Sequence, residues 1–146
     1  AREVDALGRE VRVVCPPQHD AALRRALIRE NPFVHSSVML RRALCEQAGG
    51  YDEALPVAQD YDLWMRMSRA TRLANLDDVL VVRRLLPGRI SVEREGDRLR
   101  TEARVRWEAN RRGDNQSWSV VHALRPTAAL ALPPALRRGL RIALGR

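Results

Sequence analysis

Two aspartates, Asp60 and Asp62, open a predicted helix that follows a proline-containing loop. An aspartate at a helix start commonly caps the free backbone N–H groups, and a second one in the first turn suits the helix dipole. The same position also suits a general base, because an ionised carboxylate that faces a cleft can take a proton from an attacking hydroxyl. The residues alone therefore leave two interpretations of Asp60 open, a helix cap and a base.

A second group of polar side chains is the string His35-Ser36-Ser37, at the start of a predicted strand. Histidine and serine at such a position either contact a polar ligand or make structural hydrogen bonds. The sequence has no Ser-His-Asp spacing and no G-x-S-x-G string, so it does not indicate a nucleophilic triad. Cys15 and Cys45 lack a C-x-x-C pattern or a matching histidine pair, so a thiolate metal site is not indicated either.

The elements that would position these residues follow from hydrophobic spacing and turn residues. In the first part of the chain, these patterns predict two strands over 4–14, a helix over 21–30 capped by Asp20, a strand over 33–40, a helix over 41–48 and a helix over 60–70. The second part predicts a strand over 79–86, a helix over 93–112, a helix over 117–124 and an apolar, arginine-rich tail over 126–146. Gly49-Gly50 ends the short helix, because a left-handed C-cap favours residues without a Cβ.

The composition is that of a folded chain of single-domain size, with 146 residues, 45% hydrophobic and 30% charged. Its net charge of +8 comes from arginine and suits phosphate-bearing ligands, anionic lipid or nucleic acid. Nucleic acid is disfavoured, because no basic strand interleaved with aromatics and no recognition-helix motif is present. No apolar run reaches the length of about 20 residues that spans a bilayer.

Five sequence blocks in order resemble the family 2 glycosyltransferases of bacterial cell-surface polysaccharide synthesis. The blocks are NPFVHSSVMLRR, GGYDE, AQDYDLWMRM, ANLDDVLVVRR and PGRIS. The resemblance covers about residues 28–91, and the upstream hairpin and helix look like the connecting region of these enzymes. The chain starts without a methionine, so we expect the C-terminal part of a longer protein.

The resemblance implies an α/β chain that is part of a GT-A fold and lacks the nucleotide-binding half. Residues 1–92 would be the acceptor-side half, and residues 93–146 a helical, basic C-terminal extension. The family transfers a sugar from a nucleotide-sugar to a hydroxyl acceptor with inversion. Asp60 would be the general base, in a pair that reads Gln59-Asp60 in place of the family's Glu-Asp. The other residues that the resemblance assigns to substrate binding are His35, Ser36, Gln59, Asp62, Trp64 and Arg84.

Two further departures from the family pattern concern the diphosphate of the donor. The family's D-x-D motif, which holds Mg²⁺ or Mn²⁺, is absent, since Asp60-Tyr61-Asp62 belongs to the base motif. Family members also end the late strand with Arg-x-His, whereas this chain has Arg84-Leu85-Leu86. The divalent cation is therefore expected for a full-length enzyme and not from residues of this chain.

The resemblance implies a nucleotide-sugar donor, a carbohydrate or lipid-linked acceptor and no nucleic-acid partner. The tail, with Arg137, Arg138 and Arg141 among leucines, predicts either a contact with an anionic membrane surface or a segment docked on the domain. We expect a cytoplasmic protein, peripheral at the inner membrane face in the first case. The alternative function is a non-catalytic module that binds a carbohydrate or a partner protein through the same cleft.

Overall fold

The computed structural model describes residues 1–86, 88, 93–112, 120–133 and 136–137, and within them the chain is mixed α/β, as predicted. Its strands are β1 (Arg2–Val4), β2 (Glu10–Val13) and β3 (Val82–Arg84). Its α-helices are α1 (Asp20–Arg29), α2 (Arg42–Gln47), α3 (Gln59–Met67), α4 (Glu95–Arg111) and α5 (Val120–Ala131), and a short 3-10 helix covers His35–Ser37.

The three strands form one small sheet with β1 in the middle. β1 pairs with β2 in an antiparallel hairpin and with β3 in parallel. Gly8, at φ +80°, makes the hairpin turn, and Asp5 Oδ1 accepts hydrogen bonds from the backbone N–H groups of Leu7 and Arg9 at 2.9 Å. The predicted hairpin is therefore confirmed. The predicted strand over 79–86 shortens to Val82–Arg84, because its pairing with β1 covers only three residues.

A buried carboxylate joins all three strands. Glu3 of β1 is 1% exposed and lies between its cross-strand neighbours, Arg12 of β2 and Arg83 of β3. Arg12 Nε donates to Glu3 Oε2 at 2.6 Å, and Arg83 Nη2 donates to Glu3 Oε1. Burial on its own would raise the pKa of the Glu3 carboxyl, but the hydrogen bonds and charges of the two arginines outweigh it and hold the pKa below its ordinary 4.5.

The stability of the sheet is expected to depend on the ionised form of Glu3. A carboxyl whose pKa is lowered by folding stabilises the fold fully above its unfolded pKa, and this contribution is lost as the pH falls through the folded-state value. Glu3→Gln should therefore lower the free energy of unfolding by about 2 kcal/mol at pH 7, a typical value for hydrogen bonds to a charged group. Urea unfolding at pH 7 and pH 3 measures the difference, which should shrink at pH 3.

Glu10→Gln is the matched control, because Glu10 lies on the same sheet but is half exposed in its pair with Arg2. An exposed pair of this kind contributes about 0.5 kcal/mol. If both variants lose the same stability with the same pH dependence, the buried Glu3 carboxylate stabilises the sheet no more than the exposed Glu10 carboxylate does.

The core is organised around α3. Leu63 and Trp64 of this helix are buried together with Leu27 of α1 and with Val105 and Ala109 of α4. α4, which belongs to the predicted C-terminal extension, thus shares a core with the first part of the chain, and the predicted domain boundary after residue 92 stays a prediction. Among the described residues, no helix is both long enough and apolar enough to cross a membrane.

A buried arginine joins the helices around this core. Arg106 of α4 is 5% exposed, and its Nε donates to the hydroxyl of Tyr61 at 3.0 Å, which in turn donates to the Leu27 carbonyl at 2.7 Å. Burial raises the pKa of Tyr61 to about 12, so the phenol stays protonated. Arg106 Nη2 also donates to the carbonyl of Arg29 at 2.7 Å, at the end of α1, and to Glu102 at 3.1 Å.

The same arginine also contacts α5, a helix that contains a proline. We predicted a helix that ends at Leu124, before Pro126, and this end was wrong because α5 continues to Ala131. Pro126 has no N–H to donate to the carbonyl of His122, four residues earlier. Arg106 Nη1 donates to that carbonyl at 3.2 Å instead. A contact from another helix thus replaces the bond that the proline removes.

Candidate functional site

The entry into α3 differs from the helix start predicted from the sequence. Ala58 has φ +59°, a left-handed backbone conformation that reverses the chain direction before the helix, and no side chain caps the helix. Gln59 is the first helical residue, and its Nε2 donates to the carbonyl of Leu55 at 2.9 Å, which closes the preceding loop. Asp60 is therefore the second residue of α3. Its interpretation as the helix cap is wrong, and its carboxylate points elsewhere.

The carboxylate of Asp60 lies in an open groove. Its Oδ2 accepts a hydrogen bond of 2.8 Å from the side-chain amide of Asn31, and the side chain is partly buried. The groove has a volume of about 500 Å³. Its lining comes from the start of α3, from the segment after α1 and from β3: Asn31, Phe33, Val34, His35, Ser36, Asp60 and Arg83. Two of the residues predicted to bind substrate, His35 and Ser36, thus share a groove with the predicted base.

The segment that supplies these residues is not the strand that we predicted over 33–40. His35–Ser37 form one turn of 3-10 helix, and Ser37 Oγ donates to the Val34 carbonyl at 2.8 Å. The alternation of apolar and polar residues was therefore misleading here, because the local bonds of the serine favour a turn over a sheet ladder. The turn leaves His35 and Ser36 exposed on the groove side.

His35 forms a pair with Tyr51, the tyrosine of the GGYDE block. Its Nε2 lies 2.8 Å from the Tyr51 hydroxyl, and the two rings are 5.7 Å apart between centroids. Burial raises the pKa of the Tyr51 phenol, and electrostatic interactions with Cys45 and Asp60 raise it further. The tyrosine therefore stays protonated at neutral pH, as a neutral hydroxyl close to the Asp60 carboxylate.

Trp64 lies beneath the groove and does not line it. It is 4% exposed, and its ring meets those of Phe33 and His35 edge to face, each with a centroid distance of 6.0 Å. Its indole Nε1 is buried and has no hydrogen-bond partner among the described residues. Trp64 also lines a second, more apolar cavity of about 430 Å³ on the far side of Phe33. It therefore supports the segment that carries His35.

Asp62 faces away from the groove. It lies two residues after Asp60, which on an α-helix is a rotation of about 200°. Its Oδ2 accepts hydrogen bonds from Arg66 Nε at 3.0 Å and Nη2 at 2.6 Å, and Arg66 also donates to the carbonyls of Ala48 and Gly50. Asp62 thus holds the arginine that fixes the double-glycine turn, where Gly49 and Gly50 have φ +86° and +66°, the left-handed C-cap that was predicted.

On β3, the groove receives Arg83 and not Arg84. Successive strand residues point to opposite faces, so only one of the two can reach the groove. Arg83 lies opposite Glu3 and lines the groove, whereas Arg84 lies opposite Val4 and is not part of the groove lining. The side chain of Gln59 donates a hydrogen bond to the Leu55 carbonyl in the preceding loop. The structure therefore brings Asp60, His35 and Ser36 together and places Gln59, Asp62, Trp64 and Arg84 outside the groove lining.

Three groove or rim residues were not singled out from the sequence: Asn31, Tyr51 and Arg83. In the sequence, Asn31 and Arg83 stand only as members of the blocks NPFVHSSVMLRR and ANLDDVLVVRR. Tyr51 could have been found, because it is an aromatic residue directly after a double-glycine turn. The contacts of Asn31 with Asp60 and of Tyr51 with His35 join residues 29 and 16 positions apart, and local patterns do not show them.

The groove and its rim combine a carboxylate, an imidazole paired with a phenol, a hydroxyl and a guanidinium. Such a set can bind a ligand rich in hydroxyl groups and can accept a proton from it. No group of three or more His, Cys, Asp or Glu side chains within the described part of the chain could hold a metal ion. Comparison of the chain with protein-family models, with curated proteins and with solved structures found no match.

Proposed function

We propose that this chain is the acceptor-side half of an inverting, nucleotide-sugar-dependent glycosyltransferase with a GT-A fold, and that Asp60 is its general base. The observation that carries the proposal is the state of the Asp60 carboxylate. Its Oδ2 is held by Asn31, whereas its Oδ1 takes no hydrogen bond from the described residues, and Asp60 lines the groove. A base needs such an oxygen within reach of the proton that it removes.

The geometry supports the following sequence of events. The acceptor hydroxyl lies in the groove and donates its proton to Asp60 Oδ1. The acceptor oxygen attacks the anomeric carbon of the donor on the side opposite the diphosphate. A new C–O bond forms while the bond between the anomeric carbon and the diphosphate oxygen breaks, and the diphosphate leaves with the electron pair. Inversion follows from this in-line attack. His35, Ser36 and the Tyr51 hydroxyl are placed to hold other hydroxyl groups of the acceptor.

The divalent cation that the resemblance implies does not fit the residues of this chain. In Asp60-Tyr61-Asp62, Asp62 is bonded to Arg66 and Tyr61 is 2% exposed in the core, so the two carboxylates do not converge. A cation on the donor diphosphate would need carboxylates from a donor-binding half. We therefore place the donor and its Mg²⁺ or Mn²⁺ on that half and derive no step through the metal here.

The proposal also covers the location of the protein. A nucleotide-sugar donor suits the cytoplasm, and an arginine-rich tail suits the inner membrane face when the acceptor is lipid-linked. Arg137 Nε donates to the Leu132 carbonyl at 2.9 Å, and Leu136 is 58% exposed. The tail residues Arg138, Leu140, Arg141, Ile142, Leu144 and Arg146 lie outside the described residues.

A second candidate function is a non-catalytic module that binds a carbohydrate or a partner protein. The exposed ring of Tyr51 and the partly exposed Arg83 favour it, because both can bind a polar ligand without any chemical step. The two functions differ in what Asp60 does. As a base it affects turnover, whereas in a binding module it affects affinity alone.

The purified chain is expected to release no nucleoside diphosphate from nucleotide-sugars, even with Mn²⁺, because it cannot bind the donor's diphosphate and metal. Chromatography of the nucleotide products measures this directly. The same assay on a polypeptide that joins this chain to a donor-binding half should show release that depends on an added carbohydrate acceptor. Turnover by the 146-residue chain alone would contradict the division into halves, and acceptor binding without turnover by the joined protein would favour the binding module.

A further inference from the structure

We infer that Asn31 is the positioning residue of the base: it fixes Asp60 Oδ2 and so directs Oδ1 at the acceptor hydroxyl. The inference rests on the proposed function. Asn31 is partly buried and lies in the turn that follows α1, in contact with the first turn of α3. Its role concerns the orientation of Asp60, and it need not touch the reacting atoms.

Both ends of the Asn31 amide are in use. Oδ1 accepts a hydrogen bond of 3.1 Å from the backbone N–H of Phe33, two residues later, which makes a local turn across Pro32. Nδ2 donates to Asp60 Oδ2 at 2.8 Å. Since the first bond fixes the plane of the amide, the second has a fixed direction. The turn that begins the NPFVHSS segment thereby sets the position of a carboxylate 29 residues later.

The carboxylate needs such a contact. The last torsion of an aspartate side chain has a broad, roughly two-fold preference, so an unsupported carboxylate samples many orientations. A neutral N–H donor restricts this rotation, and it does so without the charge of an arginine or lysine, which would compete for the proton acceptor. Oδ1, which accepts no hydrogen bond from the described residues, then keeps one direction relative to the lining of the groove.

A purely structural role for Asn31 makes a different prediction. Asparagine before proline also ends helices and begins turns, and Asn31 makes that turn here. Asn31→Asp separates the two roles, because the carboxylate keeps an oxygen for the Phe33 N–H and loses the donor to Asp60. The new charge also faces the Asp60 carboxylate. A residue that only makes the turn should tolerate this change.

The first measurement uses the joined protein, in which this chain is linked to a donor-binding half. Asn31→Asp should lower kcat by about 10- to 100-fold, with the KM for the donor within about 2-fold, because misplacement of a catalytic group by about 1 Å costs up to that factor. The acid limb of the pH–rate profile should also move to higher pH, since a second carboxylate disfavours the ionised base. Gln47→Ala, an exposed change at the end of α2, is the control.

The second measurement needs no activity and uses the 146-residue chain. The urea midpoint of Asn31→Asp should lie below that of the parent at pH 7, where the two carboxylates repel, and the gap should close at about pH 3, where they are protonated. If this gap appears and transfer in the joined protein does not depend on Asp60, the contact stands and the proposed function fails. Parental kcat, pH profile and urea midpoint in Asn31→Asp would overturn the inference.

Discussion

Asp60→Asn is expected to lower the rate of sugar transfer by about 10³-fold, within the range that a general base contributes, while the fold stays intact. Asparagine has the same shape, and its carbonyl oxygen can still accept the hydrogen bond from Asn31. It cannot take a proton from the acceptor, because an amide oxygen is a far weaker base than a carboxylate. Steady-state kinetics of the joined protein measure the loss, and the urea midpoint of the chain checks the fold.

Asp62→Asn is the matched control on the same helix. Asp62 is 8% exposed and holds Arg66, which fixes the double-glycine turn, so its loss should lower the free energy of unfolding and leave the rate of transfer close to the parental value. The two variants therefore separate a catalytic from a structural carboxylate, two residues apart. Parental transfer by Asp60→Asn would remove the base from the mechanism and leave Asp60 as a groove residue.

Arg106→Met is expected to lower the free energy of unfolding by about 3 kcal/mol, the lower end of the range for breaking a buried charged network. Methionine has a similar length and is apolar, so the packing volume changes little. The loss comes from hydrogen bonds, since the carbonyls of Arg29 and His122 and the Tyr61 hydroxyl each lose a donor. Each lost intramolecular hydrogen bond costs about 1 kcal/mol. Urea unfolding at pH 7 measures the total.

Arg104→Met provides the comparison for this loss. Arg104 lies on the same helix and makes ion pairs with Glu108 and Asp52, but its side chain is 53% exposed. An exposed pair contributes at most about 1 kcal/mol. Tyr61→Phe, which removes only the hydroxyl, should give an intermediate loss. Equal losses for Arg104→Met and Arg106→Met would show that the buried network does not stabilise the fold.

The parts of the fold that the sequence predicts are those set by neighbouring residues. The hairpin around Gly8 and the left-handed C-cap at Gly49-Gly50 follow from the conformational freedom of glycine, and both are present. α3 follows from its apolar spacing, although its start moves by one residue to Gln59. These predictions succeed because turn chemistry and helical periodicity act over a few residues.

The predictions that failed depended on contacts between distant residues. A helix end before Pro126 is the correct expectation for an isolated helix, and the hydrogen bond from Arg106, 20 residues earlier, supports the longer helix. The alternation in residues 33–40 would suit a strand, but no neighbouring strand is there to pair with it among the described residues. Local pattern cannot show either circumstance.

The candidate site shows the same limit. The position of Asp60 in a helix start was predicted. That its carboxylate does not cap the helix depends on the left-handed backbone of Ala58, and an alanine does not indicate that conformation. Arg83 enters the groove in place of Arg84 because the register of β3 against β1 decides which face each residue takes. A shift by one residue would exchange them.

The hydrogen bond between Arg106 and the His122 carbonyl also affects whether α5 can slide along its neighbours. Helices that pack through apolar side chains alone can often shift lengthwise by a turn at small cost, because similar ridges meet similar grooves. Here Pro126 has no N–H to donate to the carbonyl of His122, and Arg106 Nη1 donates to this carbonyl from α4. A lengthwise shift of α5 would separate the guanidinium from the carbonyl and break this hydrogen bond. The bond therefore favours one register of α5 against α4.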